Sequence, residues 1–310
     1  MIRYPERHLN VCSNYGGLGD HIARLCAVRY VKEQQSHVRM TVYWHDYFVP
    51  VARALVPESE MIRHKAISEM KYADERLPLI HFDPERLTSL SLGLIEHGFL
   101  ILTDRLPPTK LDRVYPRYAA TWSKGIDVEG FDNYVIITPC FTAKAREWPG
   151  EEINKTIKGV KEFGYKVVLM GNTTRILTGS GHKVEAGVPE GLDRSLADLD
   201  LINQTTLVEA LEIMSFAKCV VGVDNGLLHL SACTNTPSVW GFTNVEPHLR
   251  VPHGIVHKAI ISDSECFGLQ SRSFLFQHNF MECICTDSAC TNSMQAKKFL
   301  QCFQDLLDLS

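Results

Sequence analysis

Three short segments concentrate residue types that handle phosphates and hydroxyl groups. The first, Gly16-Gly17-Leu18-Gly19-Asp20, lies between an apolar run and a helical one. Glycines let the chain turn sharply and bring backbone N–H groups near a ligand, while a helix start adds partial positive charge. The spacing Gly17-x-Gly19-x-x-Ile22 lacks the third glycine of the dinucleotide fingerprint, and Asp46 lies far downstream for its ribose-binding acid. A tight turn with Asp20 as the N-cap of a helix from His21 accounts for the segment equally well. The second segment, T-P-C-F-T-A-K-A-R-E-W-P at 138–149, puts Lys144 and Arg146 in a loop where cations can clamp phosphate or simply face water. The third, V-D-N-G-L-L-H-L-S-A-C at 223–233, ends a strand on Asp224 and opens a helix at Asn225-Gly226 that carries His229. Asp224 there can accept sugar hydroxyl protons, and the amides of Asn225, Gly226 and Leu227 can meet a diphosphate. Taken singly, Asp224 reads as an N-cap and His229 as a core residue; together they read as a site.

The elements that must position these segments alternate along the chain. Strands are expected at 8–13, 39–44, 77–82 and 99–103, with helices over 21–35 and from 47 to before Pro57. On the first helix Ile22, Leu25, Cys26 and Val28 form the apolar face, while Arg24, Arg29 and Lys32 are expected to face water. A polar stretch over 115–133 reads as the interdomain linker. A second set follows, with strands at Tyr134–Thr138, 166–170, Cys219–Val223 and Ser238–Phe242 and helices over 151–163, 207–217 and 226–233. A last amphipathic helix covers 295–307. This order predicts an α/β protein of two Rossmann-like domains, 1–125 and 126–290, with a C-terminal helical segment, 291–310, packing back on the first.

The 310 residues carry a net charge of −4, with 45% hydrophobic and 22% charged residues. These values exclude the disordered, collagen-like and coiled-coil classes. They also give no electrostatic reason to expect nucleic acid or an anionic membrane as partner. No apolar run reaches the ~18 residues of a membrane span. The start, Met-Ile-Arg-Tyr-Pro-Glu-Arg-His, has no signal-like apolar stretch, so a cytoplasmic location is expected. Cys12, Cys26, Cys140, Cys219 and Cys233 lie in or beside apolar segments and read as reduced, small hydrophobes. Cys283, Cys285 and Cys290, with Cys266 upstream, lack the paired C-x2-C spacing of common zinc sites, so no metal site is expected.

In chain order these segments resemble glycosyltransferase family 9, the ADP-heptose:lipopolysaccharide heptosyltransferases. The G-G-L-G-D turn looks like that family's opening loop, and R-E-W-P at 146–149 like its K-x-W-P motif with Arg146 in the lysine position. K-V-V-L-M-G-N at 166–172 is similar to a second-domain strand that ends on glycine, here Gly171. D-N-G-L-L-H-L-S-A-C-T-N-T-P-S-V-W-G-F-T at 224–243 matches the D-x-G-x-x-H block, with Gly241-Phe242 reversing the usual order. The resemblance implies a GT-B fold, with the donor in the C-terminal half and the acceptor in the N-terminal half. It implies metal-independent transfer with inversion and no cofactor beyond a nucleotide-sugar co-substrate, an ADP-sugar favoured. Asp20 then corresponds to the catalytic base and Arg146 to the diphosphate-binding cation. Asp224, Gly226 and His229 correspond to donor contacts. Lys144, Gly171 and Asn225 are added as donor-binding by position, and Gly16, Gly17 and Gly19 as the glycine loop.

The acceptor is expected to be a saccharide or another hydroxyl-bearing molecule. The region 60–130 matches no subfamily, which leaves a phage-type transferase acting on a nucleobase or nucleotide open. The competing readings are a sugar-nucleotide epimerase or hydrolase and a non-catalytic sugar-nucleotide binder. A nicotinamide-dependent dehydrogenase ranks last.

Overall fold

The computed structural model describes residues 7–13, 17–34, 38–69, 115–120, 132–176, 183–268 and 288–308. The strands expected at 77–82 and 99–103 lie outside these residues, as do Gly16, Cys283 and Cys285.

In the N-terminal half, β1 (Arg7–Ser13), β2 (Val38–Trp44) and β3 (Ile62–Ala66) form a parallel sheet in the order β1-β2-β3. Helix α1 (Leu18–Gln34) makes the first crossover and α2 (Val49–Leu55) the second. The expected apolar face of α1 is buried throughout, from Ile22 to Val28. Arg24 departs from expectation. It is only 5% exposed and donates to Ser13 Oγ at 2.9 Å, so it faces the sheet and not water.

The C-terminal half is a six-stranded, wholly parallel sheet. Its strands are β4 (Tyr134–Thr138), β5 (Lys166–Leu169), β8 (Leu199–Asp200), β9 (Cys219–Val223), β10 (Ser238–Phe242) and β11 (His257–Ile261). A small antiparallel pair, β6 (Thr174–Ile176) and β7 (Lys183–Glu185), stands apart. The spatial order β11-β10-β9-β4-β5-β8 is the doubly wound order of nucleotide-binding sheets. In that arrangement the strand order reverses between β4 and β9, the point where doubly wound sheets open a crevice at the carboxyl ends of their strands.

Both faces of this sheet are covered, so its central strands are continuous β-branched and apolar runs. Side chains alternate with period two. Val135, Ile137, Val221 and Val239 face one layer, where α3 (Gly150–Glu162) and α7 (Ala296–Leu307) lie. Tyr134, Ile136, Val220 and Trp240 face the other, shared with α4 (Leu207–Phe216), α5 (Gly226–Ser231) and the N-terminal half. A capping box of Thr206 and Glu209 starts α4.

The last helix corrects an expectation. Among the described residues α7 packs on the C-terminal sheet, where the expectation set it against the N-terminal domain: Phe299 stacks on Trp148 at 4.0 Å, and Phe303 and Leu306 join the same cluster. Short α6 (Ala289–Asn292) leads into it. Burying each of these large apolar side chains contributes about 1.5–3 kcal/mol. The expected linker is also more than a loose connection at its start. Tyr115 has no exposure, and Arg117 donates to the carbonyls of Ala232, Thr234 and Gly254.

Candidate active site

The carboxyl ends of β4 and β9 bring the second and third segments together. Asp224 directly follows β9 and is 4% exposed. Its Oδ1 meets His229 Nε2 at 3.2 Å, while Oδ2 lies 3.8 Å from both Arg146 and Arg250. Burial pushes the Asp224 carboxyl up, but Arg250, the His229 hydrogen bond and Arg146 outweigh it and hold the group far below the carboxylate range. Among the described residues, buried Asp224 Oδ2 has no hydrogen-bond partner of its own.

Asn225, not Asp224, caps the helix. Its side-chain oxygen accepts from the Leu227 and Leu228 N–H groups at 3.0 and 3.1 Å, and its amide donates to Thr138. The amide of Leu227 is therefore already occupied, which corrects the expectation that it meets a diphosphate. Because Asn225 takes the cap, the Asp224 carboxylate stays clear of the helix start.

Asp20 reaches the same place from the other half. Helix α1 starts at Leu18, earlier than expected, so Asp20 is inside its first turn and is not the N-cap. Its Oδ2 accepts from the Gly17 N–H at 2.5 Å, the backward half of a capping box. Burial pushes this carboxyl up, and Arg24, Arg250, the Gly17 N–H and His21 together bring it below its ordinary value. Arg250 thus acts on a carboxylate from each half. Adjacent His21 turns away, with Nδ1 3.0 Å from Ser13 Oγ and its ring stacked on Phe48 at 5.1 Å.

The glycines mark close packing between the halves. A Cβ at Gly19 would stand 2.6 Å from His229 Cδ2, and one at Gly226 would stand 2.9 Å from Leu18 Cβ. Each helix start therefore carries a glycine where the other presses on it. Gly17 spends its N–H on Asp20, so that amide is already engaged within the turn.

Two expected donor residues make other contacts. Lys144 is paired with Glu147 at 2.5 Å, with its side chain 68% exposed. Gly171 follows β5 and packs against Cys140. Three residues of the cluster escaped the sequence reading: Arg24, Tyr115 and Arg250. Only Arg24 left a signal, since it follows Asp20 by four positions and so shares its helix face.

Among the described residues, no group of three His, Cys, Asp or Glu side chains is arranged to hold a metal. The one Asp-x-Asp pair among them that borders this sheet edge, Asp198 and Asp200, is engaged by Lys161 and the Val167 N–H, and by Arg194 and the Ile202 N–H. No described helix is long and apolar enough to cross a membrane.

Two parallel sheets facing each other over a cluster of carboxylates and guanidiniums have the build of a GT-B glycosyltransferase. Residues 114–273, just over half of the chain, match the profile of Glycosyltransferase family 9 (heptosyltransferase), and the chain belongs to that family. It is similar to the iron-containing dodecameric glycosyltransferase TibC from enterotoxigenic E. coli H10407, at 17% identity and a TM-score of 0.70, over 97% of this chain and 78% of that one. A further TibC structure, described as a heptosyltransferase, holds ADP-D-beta-D-heptose. E. coli ADP-heptose LPS heptosyltransferase II is similar at 15% identity and a TM-score of 0.62, over 98% of this chain and 99% of that one. At such identities the likeness shows the fold. None of the curated proteins matches significantly in sequence.

Proposed function

We propose that this transferase moves a sugar from an ADP-sugar to a hydroxyl of a saccharide acceptor, with inversion and without a catalytic divalent cation. The C-terminal half, from about residue 126, binds the donor, and the N-terminal half presents the acceptor. Arg146 and Arg250 meet the diphosphate, and Asp224 Oδ2 accepts a hydroxyl of the donor sugar. Asp20, ionised at neutral pH, takes the acceptor proton as the acceptor oxygen attacks the anomeric carbon. The bond from that carbon to the diphosphate oxygen breaks, its electron pair leaves with the diphosphate, and the guanidiniums stabilise the growing charge.

The observation that carries this reading is the position of Arg250, which acts on Asp224 in one half and Asp20 in the other. Support for an ADP-linked donor comes from the similar TibC complex with ADP-D-beta-D-heptose. The test is Asp20→Asn. Asparagine still accepts from the Gly17 N–H, so the start of α1 survives, but it cannot take a proton. Transfer should fall by about 10²–10⁴-fold with the donor KM within a few-fold of wild type. Near wild-type transfer by the folded variant would remove Asp20 from the base role.

A further inference from the structure

Behind Asp224 lies a buried chain of hydrogen bonds that ends on the crossover segment between the halves. The Tyr115 hydroxyl is 2.9 Å from His229 Nδ1, and His229 Nε2 is 3.2 Å from Asp224 Oδ1. An ionised carboxylate only accepts, so the hydrogen between Nε2 and Oδ1 belongs to the imidazole. In the neutral imidazole Nδ1 is then the acceptor for the phenol. Burial, together with Cys26 and Cys233, raises the Tyr115 phenol well above its ordinary value, so it remains a donor. Among the described residues, the imidazole also meets uncharged groups: Gly19 from α1 and the edge-on Trp240 ring from β10 at 5.1 Å. Arg250, Arg146 and Asp20 stand one layer further out, around Asp224 and the start of α1.

Tyr115 is itself firmly held. Two residues on, Arg117 grips the carbonyls of Ala232 and Gly254, and the Tyr118 hydroxyl donates to Glu212 at 2.5 Å. The segment therefore offers a fixed hydroxyl to an imidazole that in turn holds one oxygen of Asp224. The other oxygen is buried, 3.8 Å from the Arg146 and Arg250 guanidiniums and without a hydrogen-bond partner among the described residues.

We propose that Tyr115 is a positioning residue for the donor sugar: acting through His229, it locks Asp224 Oδ1 so that Oδ2 is presented to a sugar hydroxyl. This rests on the assignment of Asp224 to the donor. The rival account is that the tyrosine ring only fills space, a role that phenylalanine would fill as well.

The probes are ADP-heptose and ADP, titrated calorimetrically into the full chain, together with histidine ¹⁵N shifts. Tyr115→Phe should weaken ADP-heptose about tenfold and leave ADP within twofold, because only the sugar contact is disturbed. In a His229→Ala background, Tyr115→Phe should add less than twofold, since it acts through the imidazole. In wild type the His229 Nδ1 shift should be that of an unprotonated, hydrogen-bonded nitrogen, and Tyr115→Phe should move it. Independent, multiplying effects of the two substitutions would overturn the proposal. So would unchanged ADP-heptose affinity in Tyr115→Phe, or a protonated Nδ1 in wild type. If neither probe binds wild type, the donor assignment has failed; the Nδ1 shift still decides the relay, and no response to Tyr115→Phe overturns it.

Discussion

Replacing Gly19 by alanine separates the two roles open to the glycine turn. The new methyl would lie 2.6 Å from His229 Cδ2 and 2.9 Å from Cγ, where carbon atoms rest at about 3.5–4.0 Å. About an ångström must be found somewhere. The imidazole cannot supply it without breaking its bonds to Tyr115 and Asp224, worth about 1 kcal/mol and about 1.5–3 kcal/mol. Moving α1 instead carries the cost of overpacking, about 1–3 kcal/mol. Against this, alanine gains up to about 1 kcal/mol over glycine within a helix, and less in its first turn. The net expectation is a loss of about 1–2 kcal/mol, read as a lower thermal midpoint. Because Asp20 is the next residue, the same shift should lower transfer by up to about a hundredfold. An amide cradle for phosphate predicts the opposite signature, weaker donor binding with unchanged stability. A Gly19→Ala protein that melts at or above wild type and transfers normally would refute the packing argument.

Arg146→Ala and Arg250→Ala should each weaken ADP binding by about ten- to a hundredfold, the size of a lost charge-assisted contact, whereas Lys144→Ala should leave it unchanged; isothermal titration decides. Transfer should persist in EDTA, with iron content measured alongside because TibC is described as iron-containing. Loss of transfer that magnesium or manganese restores would end the cation-free mechanism. In the pH profile of kcat/KM, the acid limb should lie below the ordinary aspartate value of about 3.9, and that of kcat should lie higher.

Much of the C-terminal sheet was legible because β4, β9 and β10 are short apolar runs with polar ends, and each was placed to the residue. β3 and β11 were not, since Ile62–Ala66 and His257–Ile261 mix charged and apolar residues in the manner of strands near a sheet margin. The site was legible where its chemistry sits at a strand end, as at Asp224 and Arg146. It was hidden where tertiary pairing decides the role. Arg24 reads as a solvated helix residue until Ser13 and Asp20 are beside it, and Tyr115 sits in a stretch with no periodicity. Arg250 follows the matched block in a short irregular turn with nothing local to mark it. Gly19 and Gly226 look like ligand-loop residues when read alone, and only the meeting of α1 with α5 shows the close contact each also makes room for.

A base whose pKa is depressed is a weak base, which sits awkwardly with the role proposed for Asp20. The depression, however, comes in part from Arg250, and Arg250 is one of the groups a diphosphate would engage. Around the two carboxylates stand three guanidiniums, those of Arg24, Arg146 and Arg250, so the cluster carries one positive charge in excess. A diphosphate entering that field draws on Arg146 and Arg250 together and leaves Asp20 mainly to Arg24. The Asp20 carboxyl then rises toward its ordinary value, and its basicity increases only once the donor is in place. That is why kcat, which reports the loaded enzyme, should lose activity at higher pH than kcat/KM, which reports the free one. The sign follows from a base that must be ionised, so activity falls as pH drops through its pKa. In Arg250→Gln the free enzyme has already lost that guanidinium, so the two acid limbs should draw together. Limbs that stay as far apart in Arg250→Gln as in wild type would show that the donor does not act on Asp20 through Arg250.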